Sequence, residues 1–186
     1  MPSPSLTSLI DVVDEQNQPI GVVRRRDVFR LRANFRTVHV LIFNGLSELL
    51  LHRLTWTRDG EPGRWGSSAA GYLHAGEEYL AAARRSLAEE LSLSSPLAEV
   101  GVTCMHDEGT AQFAGVFTAT ADRPRSATPA RLAEITFRPV AVVEHDIAAH
   151  PDGHTETLRH VLNFWRQATQ PAAMREESLH AEPVSR

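Results

Sequence analysis

GYLHAGEEYLAAARRSLAEELSL, residues 71–93, is the stretch that decides the fold of this chain. Gly71 and Gly76 permit a tight loop that delivers the backbone into a helix. The spacing predicts that helix over Gly76–Leu91, with Leu80, Ala83, Leu87 and Leu91 on an apolar stripe and the carboxylates elsewhere. Residues 86, 89 and 90 stand three and four positions apart, so they share one helical face. Glu89 and Glu90 on that face, with Glu77 nearby at the first turn, suit Mg2+, a hard ion that keeps waters and bridges to substrate phosphates. Glu77, Glu89 and Glu90 are therefore the candidate metal ligands. Arg85 lies four residues before Glu89 and is placed to orient it by a charge-assisted hydrogen bond.

Upstream, Ile10–Arg25 reads as a hairpin, closed by the run Arg24-Arg25-Arg26, a solvated strand end. Thr37–Phe43 and Glu48–Leu54 read as strands joined by the turn dipeptide Asn44-Gly45. Trp56–Trp65 is a loop by its Asp-Gly and Pro-Gly breakers. Downstream, Ser94-Ser95-Pro96 ends the helix, and Glu99–Met105, Gln112–Thr120 and Ile135–Val142 read as strands, with a loop over Ala121–Ala130. Thr155–Ala168 is a final amphipathic helix with Thr155 as its N-cap. Strands mixed with two helices indicate an α/β sandwich with a mixed sheet.

Composition narrows the function classes. The 186 residues suffice for one domain with a full core, and 42% hydrophobic with 23% charged residues is ordinary for a globular chain. No apolar run approaches membrane-spanning length, and the first residues, Met1-Pro2-Ser3-Pro4-Ser5, lack the pattern of a secretory signal. The single cysteine, Cys104, excludes an internal disulfide, reads as a buried thiol and suits a cytoplasmic setting. A net charge of −4 argues against a nucleic-acid binder. All 19 Lys+Arg residues are arginine, which removes Schiff-base lysine chemistry and leaves any phosphate clamp to guanidinium groups.

Gly71, Glu77 and the run Arg85–Leu93 stand at the offsets of a known box: Gly, five residues, Glu, seven residues, Arg-Glu, an aliphatic, any residue, Glu-Glu, any residue, Gly, an aliphatic. The chain thus resembles the Nudix hydrolases, with two departures, Ser86 for glutamate and Ser92 for glycine. Val13-Asp14-Glu15, Ile20-Gly21, Phe43-Asn44, the run Leu49–Arg53 and Pro62-Gly63-Arg64-Trp65 resemble the branch containing isopentenyl-diphosphate isomerase and its hydrolase-like relatives. The resemblance implies an α/β fold, a Nudix-type α/β/α sandwich with a mixed β-sheet, forming one domain over 9–170. A flexible N-terminus (1–8) and a polar tail (171–186) flank it. It implies Mg2+, with Mn2+ as an alternative, and a small-molecule diphosphate substrate; a homodimer is left open. Arg53 and Arg58 become candidate diphosphate contacts, because the relatives carry basic residues there. The isomerase's catalytic cysteine precedes the box glycine, where this chain has Ala70, and its metal-binding histidine follows, where this chain has Tyr72. Alanine transfers no proton, so isomerase activity is disfavoured.

Ser86 divides the functional expectation. In many family hydrolases the glutamate at this place binds metal or acts as general base; a serine hydroxyl is uncharged and a poor base at neutral pH. One reading is a hydrolase of a nucleoside di- or triphosphate or related organo-diphosphate whose base comes from a distant loop, with Glu134 and Glu144 as candidates. The other is a catalytically impaired Nudix-fold binding module. Retention of Arg85, Glu89 and Glu90 favours the hydrolase. His145, His150, His154 and His160 fit no compact zinc pattern and read as a histidine-rich loop.

Overall fold

A computed structural model describes residues 7–55, 63–107, 109–122 and 132–169. Arg58, both termini and most of the two expected loops, at 56–62 and 123–131, lie outside the described residues. The chain opens with a hairpin, β1 (Leu9–Val13) and β2 (Pro19–Arg24). Its turn is built by Asp14, whose Oδ1 accepts the N–H groups of Gln16 and Gln18 at 2.9 and 2.8 Å. A single 3-10 turn, Arg25–Asp27, leads toward β3 (Asn34–Phe43). Asn44 closes the next hairpin by accepting the N–H groups of Leu46 and Glu48, and β4 (Glu48–Leu54) follows.

β3 organises the sheet. Along one edge, Phe35–Phe43 run parallel to Gln112–Thr120 of β8 (Thr110–Thr120). Its other edge is shared by three antiparallel partners in succession: β1 at Asn34 and Phe35, β6 (Ala69–Tyr72) at Thr37 to Val40, and β4 at Phe43. β4 also carries β5 (Trp65–Gly66) and β9 (Leu132–Pro139), and β8 carries β7 (Ala98–Asp107). One parallel pair among antiparallel ones makes the sheet mixed, as expected.

The alternation of side chains along β3 creates two cores. Val38, Val40 and Ile42 face helix α1 (Tyr79–Leu91), meeting Ala83, Leu87 and Leu91 together with Leu50 and Phe117. Leu41 faces the other way, with Leu49, Leu51 and Val116, against α2 (Val140–Ala149) and α3 (Glu156–Thr169) through Val143, Leu158, Val161 and Leu162. The result is the α/β/α sandwich. The expected strand Ile135–Val142 is corrected: β9 stops at Pro139, which has no N–H for a ladder, and Val140, Val143 and Ile147 recur at helical spacing against one core. Thr155 caps α3 as expected, its Oγ1 accepting the N–H of Leu158 at 3.1 Å. Among the described residues no helix is long and apolar enough to cross a membrane.

Beyond Phe43 and Leu49 strands β3 and β4 part, and two serines fill the fork. Ser68 Oγ donates to the carbonyl of Leu50 at 2.6 Å and accepts the N–H of Ile42 at 2.8 Å. Ser67 Oγ lies 3.0 Å from Nδ1 of His39, which is 4% exposed. Burial, then the nearby His52 and His160, push His39 down to about 4 from its ordinary 6.5. The folded chain therefore keeps His39 neutral where the unfolded chain takes up a proton, so stability falls as pH drops from 6.5 toward 4. Urea unfolding across that range is expected to show this slope, and His39→Gln to flatten it.

The end of α1 shows the backbone at one departure from the box. Ser92 stands at the C-cap with φ 52°, its N–H on the carbonyl of Ala88, a left-handed position that favours glycine. Ser92→Gly is expected to raise unfolding stability by about 0.5–1 kcal/mol, read as a higher denaturant midpoint.

Candidate active site

The site begins where β6 hands the chain to α1. Gly71 lies in β6 opposite Val38, and a side chain there would run into Oγ of Ser86 on α1. Close approach, more than turn geometry, is what this glycine provides. Gly76 has φ 72° and turns the loop back, so the helix starts at Tyr79, three residues later than the spacing predicted. Tyr79 packs its ring against Gly115 of β8, where any side chain would collide with it.

Arg85 is the hub. Its Nε and Nη2 donate to the two oxygens of Glu77 at 2.9 and 2.7 Å, Nη2 also donates to the carbonyl of Tyr72 at 2.8 Å, and Nη1 lies 3.5 Å from Glu89. His74 N–H adds a bond to Glu77 Oε2 at 2.9 Å. Burial opposes ionisation of Glu77, yet the hydrogen bonds from Arg85 and His74 and the arginine's charge outweigh it and hold the carboxyl below its usual value. The same bond to Glu77 raises Arg85 above its ordinary value. Both oxygens of Glu77, expected among the metal ligands, accept hydrogen bonds from Arg85, which holds Glu77 more closely than Glu89.

The other box residues turn toward β6 and solvent. Glu90 is 3% exposed, and its Oε2 accepts the N–H of Ala70 at 3.0 Å. Glu89 has a half-exposed side chain. Ser86 is 2% exposed, and its hydroxyl has no hydrogen-bond partner among the described residues. The buried stripe of α1 thus includes Ser86 and Glu90 beside Ala83, Leu87 and Leu91, whereas Leu80, expected in the stripe, is exposed. Among the described residues no three His, Cys, Asp or Glu side chains are gathered so as to hold a metal ion. The donor set offered to a hard cation is two carboxylates, Glu89 and Glu90, beside the orphaned oxygen of Ser86. That set fits Mg2+, which is commonly bound through one or two carboxylates, waters and substrate phosphates.

Arg53, Glu134 and Glu144 are not brought to α1. Arg53 shares strand parity with Leu49 and Leu51, so it projects on the α2/α3 side. There its Nε donates to the carbonyl of Gly63 at 2.9 Å, its Nη1 lies 3.8 Å from Glu134, and it and Arg138 flank the Trp65 ring at 5.8 and 5.2 Å. Glu144 of α2 is bonded to Arg166 of α3 at 2.7 Å. Both expected distant bases are therefore paired with arginines across the sheet from the box. His150 and His154 meet Asp146, and His160 meets Thr103. Sequence reasoning missed the carbonyl of Tyr72 and the N–H of Ala70, backbone groups that leave no residue-type signal. It also passed over Asp11, an acidic residue inside an apolar strand, 6% exposed and bonded to Gly76.

A mixed sheet between helical layers, with a Gly–Glu–Arg-Glu-Glu loop and helix on one face, defines a Nudix domain. The model of the NUDIX domain matches residues 33–179, and the chain belongs to the Nudix hydrolase family. It is 33% identical over 138 residues to an uncharacterized Nudix hydrolase of Pseudomonas aeruginosa, covering 73% of this chain and 82% of that one. It is 29% identical over 176 residues to an isopentenyl-diphosphate delta-isomerase of Nocardia farcinica, covering 89% and 99% respectively. A Deinococcus radiodurans protein of known crystal structure shares the fold with a TM-score of 0.74 at 19% identity, over 87% of this chain and 99% of that one.

The Glu77–Arg85 pair contributes stability fully above the ordinary carboxylate value near 4.5, and loses it as pH falls through the lower folded value. Glu77→Gln keeps the shape and removes the charge. The native chain is expected to be more stable than the variant at pH 7, with the gap closing below about pH 4; thermal unfolding of both across that range checks it.

Proposed function

We propose that the chain is a Mg2+-dependent pyrophosphohydrolase that cleaves a diphosphate linkage in a nucleoside di- or triphosphate or a related organo-diphosphate, Mn2+ serving as an alternative. The observation that carries this reading is the Arg85 fork, which ties Glu77 and the Tyr72 carbonyl to α1 beside Glu89, one residue before the buried Glu90 and three after the Ser86 hydroxyl. In this reading Glu89 and Glu90 hold the cation, and Arg85 and Glu77 are positioning residues. When bound, the metal would neutralise charge on the diphosphate oxygens. Water attacks phosphorus, the anhydride P–O bond breaks with its electron pair leaving on the departing phosphate, and the water's proton passes to a carboxylate. Arg53 remains a candidate contact only for a substrate long enough to pass the sheet edge, since it lies on the far side from α1, and Arg58 remains a candidate on the resemblance alone.

The unpartnered Ser86 hydroxyl favours a second reading, a diphosphate-binding module whose hydrolysis is impaired. Isomerisation does not come to this chain with the similarity to an isomerase, because Ala70 has no transferable proton and gives its N–H to Glu90.

Phosphate or diphosphate release from a panel of nucleotides, dinucleotides and nucleotide sugars, with calorimetric Mg2+ titration, separates the readings. Glu90→Gln retains an oxygen for the Ala70 N–H and removes only charge; a Mg2+ affinity lowered about 10-fold or more is expected. His150→Ala should change little; if it alone lost the metal, the assignment would be wrong. Ser86→Glu, running past the bare backbone of Gly71, is expected to tighten Mg2+ binding by about 10-fold. Turnover by the native chain supports the hydrolase. A silent native chain with an active Ser86→Glu variant, or silence from both with ligand still bound, supports the binding module.

A further inference from the structure

The β1–β2 hairpin precedes the residues matched by the family model, yet it grips the box loop at three points. The carbonyl of Leu9 accepts the N–H of Ala75 at 2.9 Å. Both oxygens of Asp11 lie on the N–H of Gly76, at 3.1 and 3.0 Å. Asn17 donates its Nδ2–H to the Tyr79 hydroxyl at 3.1 Å, and Arg36 holds Asn17 in turn through a 2.8 Å bond to its Oδ1.

Asp11 is the unexpected member. It sits between Ile10 and Val12 in a strand whose Ile10 and Val13 are core residues, and it is 6% exposed. A carboxylate so buried is costly unless it accepts hydrogen bonds, and an apolar residue would fill this strand without that cost. What Asp11 supplies is a direction: Gly76 is the left-handed residue of the loop, and fixing its N–H fixes the Ala75–Gly76 peptide plane, from which the turn at Gly76 carries the chain to Glu77 and the Arg85 fork. β1 is itself held by β3 at Phe35 and Asn34, so the acceptor stands on a rigid platform.

We propose that Asp11 is a positioning residue of the box, anchoring Gly76 so that Glu77, Arg85 and Glu89 keep the arrangement that presents Glu89 and Glu90 to a divalent cation. This rests on the reading of those two glutamates as the cation-holding pair. The path runs from Asp11 through a hydrogen bond to Gly76, along the backbone to Glu77, and through charged hydrogen bonds and an ion pair to Arg85 and Glu89.

Hydrogen exchange and Mg2+ calorimetry on the full chain test it without substrate. In the native protein the Gly76 amide is expected to exchange well below its unfolded-chain rate; rapid exchange there overturns the proposal. Asp11→Asn leaves a carbonyl oxygen in place and should hold Mg2+ within about twofold of native, whereas Asp11→Glu keeps the charge, displaces the acceptor and should bind about tenfold more weakly, as loss of an outer-shell partner does. Asp11→Ala should behave as Asp11→Glu does, with Gly76 exchange accelerated and melting of α1 unchanged; if it fails to fold, the Asn–Glu comparison decides. Native affinity in Asp11→Glu, or equal loss in Asn and Glu, overturns the assignment. A native chain that binds Mg2+ but cleaves nothing sinks only the hydrolase reading, and one that binds no Mg2+ sinks both.

Discussion

A single guanidinium joins the three parts from which the site is made. Arg85 belongs to helix α1, Tyr72 to strand β6 and Glu77 to the loop between them, and the arginine side chain bonds to the other two. Only a planar fork does this: two parallel N–H groups match the carboxylate, and a further N–H remains for the carbonyl. Lysine has no such geometry. The pair is partly buried, with side chains 24% and 15% exposed, so solvent screens it less than an open surface ion pair. If the fork were absent, the Glu77 carboxylate would keep only the His74 N–H, and the loop would lose its tie to the middle of α1.

That loop in turn depends on how the sheet divides. β3 pairs with β8 along its whole length but distributes its other edge among β1, β6 and β4. β6 can lie beside β3 only because β4 diverges, and the two serines at 67 and 68 satisfy the groups that the divergence exposes. Strand parity then sorts function from support. Residues in register with Val38, Val40 and Leu50 meet the box helix, and those in register with Leu41, Leu49 and Leu51 meet α2 and α3. Arg53, Glu134 and Glu144 fall on the second side, where ion pairs with one another or with Arg166 hold strands and helices together.

The residues 71–93 made the box helix legible, because glycine, carboxylate and arginine offsets there exceed what a solvated face needs. The first hairpin, the central strand, the β8 strand and the capped final helix were equally readable from alternation and turn chemistry. α2 was not, since Val140-Ala141-Val142-Val143 carries β-branched residues that satisfy a strand as well as a helix, and only Pro139 and the spacing to Ile147 distinguish them. β5 and β6 are two and four residues long, too short for periodicity to register. The side of the sheet on which Arg53 lies was unreadable for a different reason: a resemblance gives a position along the chain, whereas the face follows from a register that no single strand contains. Glu77 carried the same ambiguity, because its residue type suits both a ligand and a partner for arginine.

Ser86 shows how one position sets both the stability of the helix and the strength of the site. A carboxylate there would stand three and four residues from Glu89 and Glu90, in a place that is 2% exposed, and would add a third like charge to one face. Without a cation that face repels itself, and burial deepens the penalty. Serine removes the repulsion, so α1 packs against β6 with only Glu90 buried and that carboxylate satisfied by the Ala70 N–H. The same exchange lowers the negative charge available to a divalent ion, so the gain for the empty helix and the loss for cation binding have one origin. In the proposed reading, the substrate's phosphates complete the coordination that a third glutamate would otherwise supply.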